Sequence, residues 1–357
     1  MGSTGTESAA GAADAEDERR NVSDATGVLL LGACAGWSLV TAAAHGGRPE
    51  GVLLAVLAVA AGYSSGRILG ALLPVTAPAV GALSGVGLAV AAPYAVPGPQ
   101  PLVPLGHGGA LAALLTLSSG AACCAAWAAR HAAPRFALRA SVAGIAGVAA
   151  ALDSAPGLVA SIGVLLYSLA ADRTRRRAAV LTAFALVAAL VTAATWAMAG
   201  NVTPGAPSAL PEDQLGGHRV LLWHDALTLT REHPVLGAGP GRFGELSPVA
   251  TQSALPDARP HSASLQQAAE QGLIGLALLT AVFCWFLYAL WRTRRPTPVA
   301  LTAGAALTAL AVIASVGDAL SFTTVTVGAG LLAGIATARP LGDGEGAGRA
   351  PEGSGPP

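Results

Sequence analysis

The sequence has no lysine: all 20 basic residues are arginine. Charge of either sign is scarce, at 11% of 357 residues, where a soluble domain runs near a quarter. What charge there is stands apart from long apolar runs. Gly51–Ala61, Ala140–Leu152 and Ala178–Ala199 carry none. Cysteine is also rare. The four, Cys34, Cys123, Cys124 and Cys284, lie in apolar runs with no CxxC or Cys/His spacing, which excludes a disulfide framework or zinc site and leaves small buried hydrophobes. No DxD pair occurs, so nothing points to a metal-bound nucleotide sugar. Missing lysine with heavy alanine, glycine and proline use suggests a GC-rich bacterial genome.

What is present is hydrophobicity: 53% of residues are apolar and mean hydropathy is +0.58. A bilayer core about 30 Å thick needs ~20 apolar residues per helix. Spans are expected near 26–44, 51–70, 75–95, 107–129, 137–152, 157–171, 178–199, 265–291, 298–316 and 319–337. The fold class is therefore an all-α polytopic membrane protein with about ten transmembrane helices and one large extracytoplasmic loop. Residues 1–24 and 339–357 read as disordered tails, 25–199 as the first seven helices, 200–264 as the loop, and 265–338 as the last three helices.

Orientation follows from the arginines, which favour the cytoplasmic side. Ten spans put Arg67, the Arg130–Arg139 group, the Arg173–Arg177 group, the Arg292–Arg295 group and both tails on one side. Arg48, Arg219, Arg231, Arg242 and Arg259 fall on the other. The expected location is the cytoplasmic membrane, multi-pass, with both termini cytoplasmic.

The long loop holds six acids, four arginines and four histidines. Asn201–Leu210 reads as a flexible exit, and Glu212–His233 as an amphipathic helix suited to the membrane surface. Its apolar face carries Val220, Leu222, Trp223, Ala226, Leu227 and Leu229, and Leu221 strays onto the polar side. Arg219 falls inside the apolar arc, so it reaches water, pairs, or holds an anion. Pro234 stops the helix. Gly239–Gly244 formally spells GxGxxG, but no strand precedes it and Pro240 interrupts it, so no dinucleotide site is expected. The glycines more simply give a tight turn whose backbone N–H groups suit an anion. His261 stands where the chain re-enters the membrane. Imidazole exchanges protons near neutral pH, though a lone histidine is more often structural.

The stretch Arg219-Val-Leu-Leu-Trp223, then His233-Pro-Val-Leu-Gly-Ala-Gly-Pro-Gly-Arg-Phe243, then His261 with ten residues before Gly272, and Glu270-Gln-Gly-Leu-Ile-Gly275, resembles the O-antigen ligase family, the Wzy/WaaL-like membrane glycosyltransferases. The resemblance covers about 70 residues closely. It implies transfer of a glycan from a polyprenyl-diphosphate lipid to an acceptor at the outer face of the membrane, in cell-envelope polysaccharide assembly. It implies His261 as base and Arg219 on the diphosphate as the catalytic pair, with Arg242, Arg259, Gly237, Gly239 and Gly241 as substrate-binding residues. Asp257 or Glu270 would orient the histidine. The partners would be the lipid-linked glycan, a glycan or lipid acceptor and membrane lipid; no nucleic acid, metal or soluble cofactor is expected. The chain departs from the family at Ser262, where asparagine is common, and at Leu152-Asp-Ser-Ala-Pro-Gly157, where a Ser-Arg-Gly element is frequent. The alternatives are a non-catalytic or polymerase-type member of the same pathway, or a transporter using Asp153 or Asp318.

Overall fold

The computed structural model describes residues 4–91, 105–174, 176–201, 214–252 and 259–339. Its described regular structure is helical: α1 (Thr4–His45), α2 (Glu50–Leu72), α3 (Thr76–Ala91), α4 (Leu105–Ala128), α5 (Ala132–Ala151), α6 (Ala155–Ala170), α7 (Arg177–Gly200), α8 (Gln214–Glu232), α9 (Phe243–Leu246), α10 (Pro248–Gln252), α11 (Ala263–Arg292), α12 (Thr297–Val316) and α13 (Thr323–Thr337). Helices stand at all ten expected span positions. Seven helices, within α1, α2, α4, α6–α7, α11 and α12, are long and apolar enough to cross a membrane, and α3 and α13 are apolar but shorter. The 20-residue α5, with Arg135 and Arg139 in its first half, is not among either group.

One difference from expectation is at the start. α1 begins at Thr4, where a disordered tail is expected. The segment is rich in alanine, glutamate and arginine, which are good helix formers and extend the span backwards. The other expected tail, beyond Arg339, lies outside the described residues, as do the 202–213 exit and Asp257.

The core follows from which helices are apolar all round. The apolar stretch of α4 is 89% buried and that of α12 72%, against 17% for α1, α2 and α7. α4 and α12 are therefore the central pair, ringed by the others. Polar side chains inside α4 are satisfied locally: Thr116, Ser118 and Ser119 donate to Ala112 O, Leu114 O and Leu115 O at 2.7–2.9 Å. Outward faces carry Leu54, Leu57, Ile68, Leu83, Val159, Leu166 and Leu190, all more than half exposed, as a lipid-facing surface requires. Cys123 and Cys124 are buried as expected, whereas Cys284 is exposed on α11, because that face of the apolar run points out of the bundle.

Side-chain bonds tie the helix ends into two layers. At one end, Arg295 donates to Ala338 O (2.7 Å) and Gly70 O (2.6 Å), joining the ends of α13 and α2 to the α11–α12 turn. Arg177 binds Leu290 O and Thr293 O, Arg67 pairs with Asp24 at 2.7 Å, and Trp127 bonds Ser168. At the other end, Thr192 meets Ser315 (3.0 Å) and Trp196 donates to Ser264 (3.3 Å), joining the end of α7 to the end of α12 and the start of α11. We call these the arginine end and the loop end.

α2 and α13 touch backbone to backbone. A Cβ added at Gly62, Gly66, Gly330 or Gly334 would fall on Val327 O, Leu331 O, Val59 O or Tyr63 O. Small residues permit this close approach, and it holds a helix pair together without a hydrophobic driving force. Gly66→Ala and Gly334→Ala are each expected to destabilise the purified protein by about 1–3 kcal/mol, the usual range for overpacking. Gly87→Ala, with open space around it, is expected to leave thermal melting in detergent unchanged. Equal melting for all three would show that the contact carries no stability.

Candidate functional site

α11 is the organising element of the loop end. It is two helices joined at Gly272, whose φ of 70° and ψ of −173° are not helical. The break leaves carbonyls without their usual donors four residues on. Each is met from elsewhere. Ala238 N donates to Ala269 O (2.8 Å), Gly239 N to Glu270 O (2.9 Å), and Trp37 Nε1 on α1 to Gln271 O (2.9 Å). In return Leu273 N donates to Pro234 O (2.8 Å). The turn expected from sequence at Pro234–Phe243 is thus a clasp on a broken helix.

The glycines are explained by this contact. Gly237, Gly239 and Gly241 have φ of 67°, 102° and 74°. A Cβ at Gly237 would meet the Glu270–Gln271 peptide, and one at Gly272 would meet Val235 O. Their amides are engaged within the protein. Gly237 N donates to His233 O (3.0 Å), Gly239 N to Glu270 O, and Gly241 N to the Glu270 carboxylate at 2.9 Å. The anion at the turn is therefore the protein's own glutamate.

Glu270 is buried, and its second oxygen lies 3.4 Å from Gln266 Nε2, with Arg259 close enough to act on its charge. It braces the glycine turn.

Arg242 is spent on structure as well. Its Nη1 donates to His45 O at the end of α1 (2.7 Å) and its Nε lies 3.8 Å from Glu245. Pro240 O accepts from Arg48 N at 2.7 Å, so the turn also grips the α1–α2 connection. Arg259 is exposed.

α8 has the expected apolar face, but that face lies against protein and not along a lipid surface. Leu222, Trp223, Ala226 and Leu227 pack with Leu265 and Ala269 of α11, Ala199 of α7, Phe243 and Ala250. Burying four large or medium apolar side chains in this way outweighs leaving them at an interface. Leu221 is 44% exposed, as its stray position implies. His224 bonds Ala199 O at 3.1 Å, and Asp225 accepts from Ser247 Oγ (2.5 Å) and Val249 N (3.1 Å), so it holds α9 and α10 beneath α8.

Arg219, in the first half of α8, donates from Nη1 to Val316 O (3.2 Å), the last residue of α12. Two residues further, Asp318 is buried beside Gly109 of α4 and not simply set at an interface. A signal for this exists in the sequence, since Asp318 is the one acid between Glu270 and Asp343.

His261 is 5% exposed and has φ of 48°, a conformation rare outside glycine. It precedes Ser262, which caps α11 with its carbonyl accepting from Gln266 N (2.9 Å). The neighbouring Ser264 is the residue held by Trp196. Arg219 and His261 are thus both at the loop end, one at the end of α12 and one at the start of α11, the two helix ends that α7 joins through Thr192 and Trp196. At the α5–α6 hairpin of the same end, Asp153 has φ of 53°, Ser154 is buried, and Gly157 lies against Ala112 of α4. Among the described residues no group of three metal-ligating side chains forms.

Gly272→Ala combines a left-handed φ with a clash on Val235 O and is expected to cost about 2–4 kcal/mol of stability. Thermal melting of the full chain measures it; an unchanged midpoint would mean that the clasp is not needed.

Residues 140–280 match the family model described as O-Antigen ligase, a stretch from α5 into the second half of α11 that contains Arg219, the glycine clasp and His261. No curated protein and no solved structure matches the chain. Over that stretch, which is less than half of the chain, the protein is similar to the O-antigen ligase family.

Proposed function

We propose that this protein transfers a glycan from a polyprenyl-diphosphate lipid to an acceptor hydroxyl at the outer face of the cytoplasmic membrane, with ten crossings and both termini cytoplasmic. What supports the reading is that His261, buried and left-handed at the start of α11, and Arg219, bonded to the end of α12, both lie at the loop end and inside the matched segment. The arginine bias supports the orientation: the groups at Arg130–Arg139, Arg173–Arg177 and Arg292–Arg295 share the end opposite the loop.

In this mechanism the diphosphate is a leaving group already bound to the sugar C1. The protein gathers its negative charge, positions the acceptor and removes one proton. Arg219 suits the gathering of charge because a guanidinium donates two parallel hydrogen bonds and stays charged. Its bond to the Val316 carbonyl holds the side chain across the α8–α12 gap. His261 suits the removal of the proton. Its imidazole takes the acceptor proton as the hydroxyl oxygen forms the new bond to C1 and the diphosphate departs. Arg259 is the exposed cation that remains for the donor, since Arg242 and the three glycine amides are engaged within the protein.

A second reading, binding of the lipid diphosphate without turnover, is favoured by one feature. The α5–α6 hairpin at Asp153–Gly157 offers no guanidinium where the family resemblance expects one.

The test is a transfer assay with the full-length protein, using as donor the lipid-linked glycan that accumulates when the protein is deleted. His261→Ala is expected to lose about 10²–10⁴-fold in rate, the contribution of a positioned base. Arg219→Ala is expected to lose activity that Arg219→Lys restores only in part. His261→Gly relieves the backbone strain, so it should melt no lower than wild type yet remain inactive. Full transfer by both the histidine and the arginine alanine variants would remove the proposed site, and a wild type that binds donor without turnover would establish the second reading.

A further inference from the structure

At the arginine end, opposite the proposed glycan site and independent of it, the ends of α2, α11 and α13 and the middle of α1 enclose a cavity of about 280 Å³. Its walls come from stretches far apart in the chain: Ser23 and Asp24 of α1, Tyr63 and Arg67 of α2, Arg292 and Arg294 at the α11–α12 turn, and Arg339 beyond α13. A cytoplasmic charge bias asks only that arginines stand on this side of the membrane. It does not ask that four of them converge on one concave space.

The lining has the composition of an anion site. Among the described lining residues four guanidiniums stand with one carboxylate. The carboxylate, Asp24, is committed to Arg67 at 2.7 Å. Tyr63 accepts from Arg67 at 3.2 Å and lies 3.5 Å from Thr337 Oγ1, so hydroxyls line the floor beside the guanidiniums. Arg177 and Arg295, at the same end, lie outside this lining and are turned onto helix-terminal carbonyls.

The cavity also lies at headgroup depth. Trp291, which forms part of its wall, is 45% exposed, and Tyr288 one turn earlier is 40% exposed, the two rings 5.9 Å apart. Half-exposed tryptophan and tyrosine on the outer face of a span mark the membrane–water boundary. Arg292 stacks over Trp291 at 5.6 Å, which fixes its guanidinium at that level. A phosphodiester fits the volume and the forked donors, and basic pockets between spans on this side are suited to anionic head groups.

We propose that this cavity binds the phosphate of an anionic phospholipid of the surrounding leaflet, with Arg292 and Arg294 as its principal contacts and Arg67, Arg339 and Tyr63 completing the shell. The bound head group would pin the α11–α12 turn to α2 and α1.

Native mass spectrometry of the detergent-purified full chain tests this with phosphatidylglycerol and phosphatidylcholine as probes. Wild type is expected to retain phosphatidylglycerol at least fivefold more than phosphatidylcholine. The Arg292→Gln/Arg294→Gln double variant should lose that preference, while Arg130→Gln/Arg176→Gln, at the same end but outside the cavity, should keep it. Equal retention of the two lipids by wild type overturns the proposal whatever the variants do. An equal loss in both double variants overturns it in favour of diffuse charge. Full displacement of phosphatidylglycerol by millimolar glycerol phosphate overturns the lipid assignment in favour of a soluble anion.

Discussion

Three carbonyls at the break in α11 set the constraint on which the loop end depends. A buried carbonyl without a donor costs about 1–3 kcal/mol, and in a membrane no water reaches it. Ala269, Glu270 and Gln271 lose their in-helix donors at Gly272 and take replacements from Ala238, Gly239 and Trp37. Those replacements fix more than the break. The first two require the glycine turn to lie flat on α11, and the third requires α1 to stand alongside. Glu270, carried by the same break, then closes the turn through Gly241 N. A glycine at 272, a glycine-rich turn some thirty residues earlier and a tryptophan on the first helix are one device in three parts.

The arginine end works by a different principle. Helix C-termini expose carbonyls and the negative end of the helix dipole, and cations are the natural complement. Arg177 and Arg295 satisfy the ends of α11, α13 and α2 in this way. The backbone contact between α2 and α13 ends beside them, at Gly70 and Ala338. The arginines gathered at this end thus close its helix ends, which explains why it tolerates so many guanidiniums near apolar helices.

Much of the helical architecture is legible in the sequence because bilayer thickness imposes a long apolar run, and a run of that length has few other readings. Hence helices stand at the ten expected positions, while α5, short of the hydropathy expected of a span, shows how far composition alone reaches. The start of α1 departs from expectation because polar composition does not by itself mean disorder; alanine and glutamate favour helix without any apolar face. At the site, the order of Arg219, the glycine turn and His261 is legible as a pattern. The partners of the turn are not. Nothing in the spacing of Gly237, Gly239 and Gly241 says whether their amides face a ligand or a carbonyl on a helix thirty residues later; that depends on the break at Gly272, which a continuous apolar run conceals. Asp225 and Trp37 are invisible for the same reason, since each acts on backbone distant in sequence.

Arg219 and His261, the proposed catalytic residues, sit on separate elements some forty residues apart in the chain, and an unbraced loop of that length would give them no fixed position. Closing it costs entropy that grows only slowly with length, so the cost is tolerable, but closure alone gives no precision. Precision comes from what fills the loop. Leu222 and Trp223 stand one turn beyond Arg219, and Leu265 stands one turn beyond His261; all three pack in one apolar cluster with Ala199, Phe243 and Ala250. Asp225 and the glycine clasp then anchor the intervening chain at two further points. A site built on loops gains accuracy only when the loop carries its own core. Here α8 supplies that core by burying against the bundle the face that an isolated amphipathic helix would give to lipid. Docking α8 into the protein is therefore what sets Arg219 against the end of α12 and lays α8 along the start of α11.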